Sequence, residues 1–168
     1  ASTRSYIDAI SLRDDVKNTV ARLLNFGRET APFFEGGKRY FYRNSGLQNQ
    51  QVLYRIEEDG SEVVFLDPNT FSEDGTVSMS SVSFSEDGSL VAYQLSEGGS
   101  DWRSIVIRDV ATGDVLESPL VDVKFSGINW LGNEGFFYSS YDKPDGSELS
   151  AKTDQHKLYF HALGTPQS

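Results

Sequence analysis

The sequence predicts a mainly β protein assembled from the first blades of a β-propeller, preceded by one short N-terminal helix. Two observations carry this. First, an aromatic residue, a polar turn and a returning aromatic strand recur as a unit. Phe34 leads through Gly36-Gly37 to Tyr40-Phe41-Tyr42, Phe84 through Ser85-Glu86-Asp87-Gly88 to Leu90-Val91-Ala92-Tyr93, and Trp130 through Gly132-Asn133-Glu134-Gly135 to Phe136-Phe137-Tyr138. The leading aromatics recur after about 46–50 residues, the period of a four-stranded blade. Asp and Gly suit these turns, because Asp bonds its own backbone and Gly accepts positive φ. Second, Ser104-Ile105-Val106-Ile107 is apolar on both faces, as a strand sandwiched between neighbouring sheets should be. The chain of 168 residues can fill one ordinary core, whereas a closed ring needs at least four blades of roughly 40–50 residues. The expectation is a fragment of a longer propeller. A small complete β-sandwich is the alternative.

In chain order, residues 1–10 are an undefined lead-in. Ser11 is the expected N-cap of a helix, with Asp14 and Asp15 in its first turn, where the helix dipole favours anions. Leu12, Val16, Val20, Leu23 and Leu24 form one apolar face, expected to pack beside the sheets, and Gly27 closes the helix. Residues 1–32 thus form a helical segment and 33–168 the propeller part: about blade 1, blade 2 and the start of blade 3. Strands are expected at 40–44, 51–57 and 63–66, ending at Pro68, which has no N–H for a ladder. Four more between 77 and 123 make a complete second blade, the last of them at 115–120. A third unit runs through 123–131 and 135–141. Residues 142–155 lack an apolar period and read as a surface loop, followed by a strand at 157–163.

Composition excludes several classes of function. The net charge of −10 and pI near 4.6 oppose nucleic-acid binding, which needs clustered Lys and Arg. With no cysteine, disulfides and thiolate zinc sites are excluded, and the cytoplasm is a compatible compartment. No signal-peptide core is visible in residues 1–20, and no apolar run approaches the ~18 residues of a membrane span. No membrane or nucleic-acid partner is expected.

Catalytic chemistry finds no foothold either. Serines are common, but there is no Gly-x-Ser-x-Gly elbow to activate one. His156 and His161 are an odd number of residues apart and point to opposite faces of a strand, so they read as surface or packing residues rather than metal ligands. Glu57-Glu58-Asp59, Glu73-Asp74 and Glu86-Asp87 sit in turns, not across a cleft. Asp142-Lys143-Pro144-Asp145-Gly146 lacks the dense oxygen ligands of a calcium loop. No catalytic residue, metal or cofactor is expected. Trp130 reads as blade core. Trp102, beside Asp101 on a Gly-rich turn, is either blade core or, with Asp101, a contact for a partner.

Several motifs resemble the prolyl oligopeptidase family. They are Gly46-Leu47-Gln48-Asn49-Gln50 before Val52-Leu53-Tyr54, Val64-Phe65-Leu66-Asp67-Pro68-Asn69, Phe84-Ser85-Glu86-Asp87-Gly88 and Gly99-Ser100-Asp101-Trp102. Val123-Lys124-Phe125-Ser126 before Trp130, and Lys157-Leu158-Tyr159 with Leu163-Gly164-Thr165, continue the likeness. It covers about residues 20–168 and is strongest between 38 and 131. The resemblance implies a cytoplasmic parent, the periplasm staying open, that cuts short peptides after proline. In that family a seven-bladed propeller caps an α/β-hydrolase domain bearing a Ser-His-Asp triad. This chain would be a non-catalytic part, partnered by that catalytic domain and by short proline-containing peptides. By the same resemblance Phe125 lines the substrate cavity and Asp101 makes a polar contact toward the catalytic domain; with Trp102, its neighbour on the turn, it is the expected interdomain contact. Taken alone, the fragment is expected to self-associate. A WD-type interaction module would want a Gly-His…Trp-Asp pattern, which is absent. A self-contained β-domain remains the other class; a longer native gene product containing Gly-x-Ser-x-Gly decides for the peptidase.

Overall fold

Three antiparallel sheets follow one another in the computed structural model, which describes residues 2–142 and 153–167. The first holds β1 (Arg28–Glu29), β2 (Phe33–Glu35), β3 (Lys38–Asn44), β4 (Val52–Ile56) and β5 (Glu62–Leu66), in the order β1-β3-β4-β5, with β2 also on β3. The second is a meander of β6 (Val77–Phe84), β7 (Leu90–Glu97), β8 (Trp102–Asp109) and β9 (Leu120–Lys124). The third comprises β10 (Asn129–Leu131), β11 (Gly135–Ser140) and β12 (Lys157–Ala162). The mainly β expectation holds, and the recurrent hairpins are β2–β3, which follows β1 in the first sheet, and β6–β7 and β10–β11, which open the second and third.

Two apolar layers lie between the sheets, and the two-sided strand separates them. Ile105 and Ile107 point into a cluster with Ala92, Leu120, Val123, Ile128, Phe136 and Tyr138, shared by the second and third sheets. Val106 points the other way, toward Tyr40, Leu53, Leu66 and Tyr93, between the first and second sheets. Each such large apolar side chain contributes about 1.5–3 kcal/mol on burial. Trp130 packs on the former layer, and its indole N–H donates to the Ser83 carbonyl at 3.2 Å, tying the third sheet to the second.

Further ties cross the same boundary. Glu117 meets His161 Nε2 through one carboxylate oxygen and accepts the Gly164 N–H through the other at 2.8 Å. Gln167 accepts the Val121 N–H and donates to the Val121 carbonyl, each at 2.8 Å. At the hairpin turns the approach is closer still. A Cβ on Gly88 would lie 2.3 Å from the Gly36 Cα, and one on Gly36 would lie 2.5 Å from the Gly88 Cα, so the β2–β3 and β6–β7 turns touch backbone to backbone. Asn133 of the β10–β11 turn then donates to Asp87 at 2.7 Å.

Four local expectations are corrected. The N-terminal part holds two helices, α1 (Ser2–Asp8) and α2 (Arg13–Leu24), rather than one. Ser11 does not cap α2: the cap position is Leu12, which has no side-chain acceptor to offer. The apolar stripe is not packed on the sheets. Leu12, Val16, Val20, Leu23 and Leu24 are all exposed, because α2 meets the first sheet only beyond its end, where Asn25 abuts Gly46. In the second sheet the fourth strand lies later than 115–120. A single bridge, Arg108 to Val115, forms early, and the ladder resumes at Leu120. Pro119, with no N–H to donate, separates the two. Consequently the run 123–131 is divided between β9 and β10. Of the expected loop at 142–155, residues 143–152 lie outside the described residues.

Candidate functional site

Because every sheet is an antiparallel meander, its turns fall alternately at two ends. The tight hairpins of Gly36, Gly88 and Asn133 gather at one. The β3–β4, β5–β6, β7–β8 and β9–β10 connections gather at the other, together with the end of β11, the start of β12 and the point where α2 enters β1. Asp101, Trp102 and Phe125 all belong to this second end.

The β7–β8 turn is formed by Gly98 and Gly99, both at positive φ, and closed by the Ser96 hydroxyl donating to the Ser100 carbonyl at 2.6 Å. It sends neighbouring side chains opposite ways, as a strand start dictates. Asp101 is exposed, whereas Trp102 is buried at 8% exposure. Trp102 faces Lys124, whose ammonium lies 4.9 Å from the indole centroid and 5.3 Å from the Phe125 ring centroid. One largely buried cation thus joins two aromatic faces, a contact worth about 0.5–2 kcal/mol where water is excluded. Phe125 meets Tyr141 edge to face at 6.3 Å, and Tyr141 stacks on His156 at 4.5 Å. The Phe125 ring is 60% exposed, and its φ of +50 lies in the left-handed region that costs a bulky residue energy.

The structure therefore brings Trp102 and Phe125 together through Lys124 and leaves Asp101 pointing away from them. Lys124 lies within one of the motifs of the resemblance, but nothing in the sequence sets it opposite Trp102, which takes the β8–β9 register, or brings Phe125 to Tyr141, which takes the approach of the second and third sheets. The two histidines go to different partners, His156 to Tyr141 and His161 to Glu117.

Three aspartates of the acidic turns are displaced away from the acid role. Asp59 is held below the usual carboxylate range by the Ser61 hydroxyl and then its N–H, and Asp74 by the Thr76 hydroxyl and then its N–H. Asp87 is held well below it by the Ser89 N–H first, then the Ser89 hydroxyl, the Asn133 amide and the Ser85 hydroxyl. A general acid needs the opposite displacement. Among the described residues, no three His, Asp or Glu side chains gather as metal ligands. Nor is any helix among them long and apolar enough to cross a membrane.

Comparison with known proteins finds the family model described as prolyl oligopeptidase, N-terminal beta-propeller domain, matching residues 1–168. The likeness thus extends through the first nineteen residues, beyond the stretch where the motifs alone carried it. Prolyl endopeptidases of Elizabethkingia meningoseptica and Elizabethkingia miricola are 56% and 54% identical to the chain over 167 residues. Those alignments cover 99% of the chain and 24% of each relative, so the chain spans about a quarter of their length. Among solved structures, prolyl oligopeptidase B from Galerina marginata, bound to a 35mer hydrolysis and macrocyclization substrate, superposes with a TM-score of 0.84 at 28% identity. It covers 96% of this chain and 26% of that one.

Proposed function

Since the chain belongs to the prolyl oligopeptidase family, as its N-terminal β-propeller part, we propose that it restricts access to the active site of a serine peptidase that cuts short peptides after proline. In this reading a seven-bladed ring caps an α/β-hydrolase domain, and that domain supplies the Ser-His-Asp triad. The parent is cytoplasmic. Residues 1–32 are a helical segment whose end adds β1 to the first sheet, and 33–168 open the propeller. The observation that carries the reading is the end of the sheets where Trp102 and Phe125 are joined through Lys124 and Asp101 is exposed beside Trp102 in the chain. It combines exposed aromatic surface with an outward carboxylate, and α2 rises beside it with its apolar stripe uncovered. Phe125 offers its ring to the peptide, Lys124 and Trp102 brace it from behind, and Asp101 faces the hydrolase.

Two experiments test this. The 168-residue chain alone is expected to give no turnover of a chromogenic Gly-Pro substrate, because it has no nucleophile elbow. Hydrolysis that scales with protein and is abolished by a serine-reactive phosphonate would refute that expectation. In the full-length protein, Phe125→Ala is expected to raise KM for short peptides about tenfold with kcat held. A lining aromatic contributes about 1–3 kcal/mol of apolar contact, felt equally in ground and transition states. A ring this exposed adds little to the blade core, so the melting temperature should hold. An unchanged KM with a lowered melting temperature would return Phe125 to the core.

A further inference from the structure

Phe125 adopts a left-handed backbone while most of its ring is exposed, so burial of the ring does not hold it there. Such a conformation persists only where the surroundings over-determine it. The restraints come from the backbone around it. The Ser139 hydroxyl donates to the Phe125 carbonyl at 3.5 Å, and the Ser126 hydroxyl accepts the Ser139 N–H at 2.8 Å. From beneath, Gln94 Nε2 donates to the Ser126 carbonyl at 2.8 Å.

Gln94 lies in the middle of β7 and is fully buried. Its amide has one possible orientation. Arg103 Nη1 lies 3.0 Å from Gln94 Oε1 and 2.7 Å from the Ser80 hydroxyl. A guanidinium only donates, so the carbonyl end of the amide must face it and the NH₂ end must face the Ser126 carbonyl. Ser80, Arg103 and Gln94 thus form a polar chain through the second sheet that ends on the loop carrying Phe125.

We propose that Gln94 is a positioning residue for substrate recognition. It fixes the 125–128 connection through the Ser126 carbonyl, so that Phe125 is presented in one orientation. This rests on the reading of Phe125 as a substrate-contacting ring. Gln94→Glu separates the two ends of the amide. It keeps an acceptor for Arg103 but replaces the donor to Ser126 with a second oxygen, which the Ser126 carbonyl repels. Gln94→Met, of similar volume, removes both bonds.

The test uses the full-length protein with a short proline-containing peptide, alone and in a Phe125→Ala background. Both Gln94 variants lose the bond to the Ser126 carbonyl and are expected to raise KM about threefold to tenfold, the cost of that one buried hydrogen bond, with kcat and the rate of inactivation by a serine-reactive phosphonate unchanged. In the Phe125→Ala background the same substitutions should add nothing, because the ring they position is gone. An unchanged KM in a folded Gln94 variant, while Phe125→Ala raises it, overturns the proposal. So does a further rise in the Phe125→Ala background. If Gln94→Glu does not fold, Gln94→Met decides the question by the same two comparisons. Hydrogen exchange of the 125–128 amides decides independently of substrate. Faster exchange in the Gln94 variants sustains the positioning role even if Phe125→Ala leaves KM untouched, in which case the cavity reading is what fails. Unchanged exchange overturns the positioning role.

Discussion

Replacing Gly88 by alanine is expected to destabilise the chain by about 2–5 kcal/mol, lowering its melting temperature by roughly 10 °C. Two costs combine. The φ of +69 is disfavoured for any residue with a Cβ, by about 1–2 kcal/mol. The new Cβ would also stand 2.3 Å from the Gly36 Cα and 2.7 Å from the Gly36 nitrogen, and those are backbone atoms of the adjoining sheet with no rotamer to change. The first two sheets must separate at that end or one of the turns must open. Gly60→Ala is the control. Its φ is +84, yet a Cβ there meets nothing within 4 Å, so only the conformational cost applies. Thermal unfolding of both variants at one protein concentration isolates the contact. Equal losses would mean that the two turns do not bear on each other in solution.

The second large effect concerns the state of the 168-residue chain by itself, which we expect to associate into dimers or larger species. Leu158 is 72% exposed on β12, flanked by half-covered Phe160 and Phe137, and β12 has no strand on its outer side among the described residues. At the far end Phe34 is 68% exposed, and the α2 stripe is bare. Contiguous apolar surface drives association, and an unpaired strand templates another. The charge of −10 opposes this, but ions screen it beyond about 8–10 Å at physiological salt, and contacting faces lie closer than that. Sedimentation velocity over a concentration series gives the answer. One monomeric species up to roughly 100 μM, unfolding cooperatively, would favour a self-contained β-domain over an open array of blades.

The hairpins were legible because their turn chemistry is local: Ser85-Glu86-Asp87-Gly88 dictates its own reversal whatever lies around it. The two-sided strand was legible because Ile105, Val106 and Ile107 must each find an apolar layer, and they do. The helical stripe was legible as periodicity but not as a contact, since nothing in Leu12 or Val16 specifies which surface covers it. The boundary at Leu120 escaped because residues 115 and 116 carry strand-like side chains and the ladder is broken by Pro119 three residues on. At the candidate site Phe125 and Asp101 came from resemblance, and Trp102 from its place on a Gly-rich turn. Gln94 was invisible: a polar residue within Val91-Ala92-Tyr93-Gln94-Leu95 looks like an outward position of an alternating strand, and only the neighbouring sheet shows it to be enclosed.

The ties of Glu117 and Gln167 have a bearing on how the chain comes into being on the ribosome. Glu117, just before β9, and Val121, within it, have their bonding partners in His161, Gly164 and Gln167, which lie 44–47 residues further along. At elongation rates of about 5–20 residues per second, those partners emerge about 2–9 s after the segment they fasten. For that interval the nascent second sheet has its hairpins but not its last clasp. The second sheet of this chain is finished by the birth of the third, and a translational pause shortly before residue 161 would prolong the stage at which Glu117 and Val121 stand without their clasp.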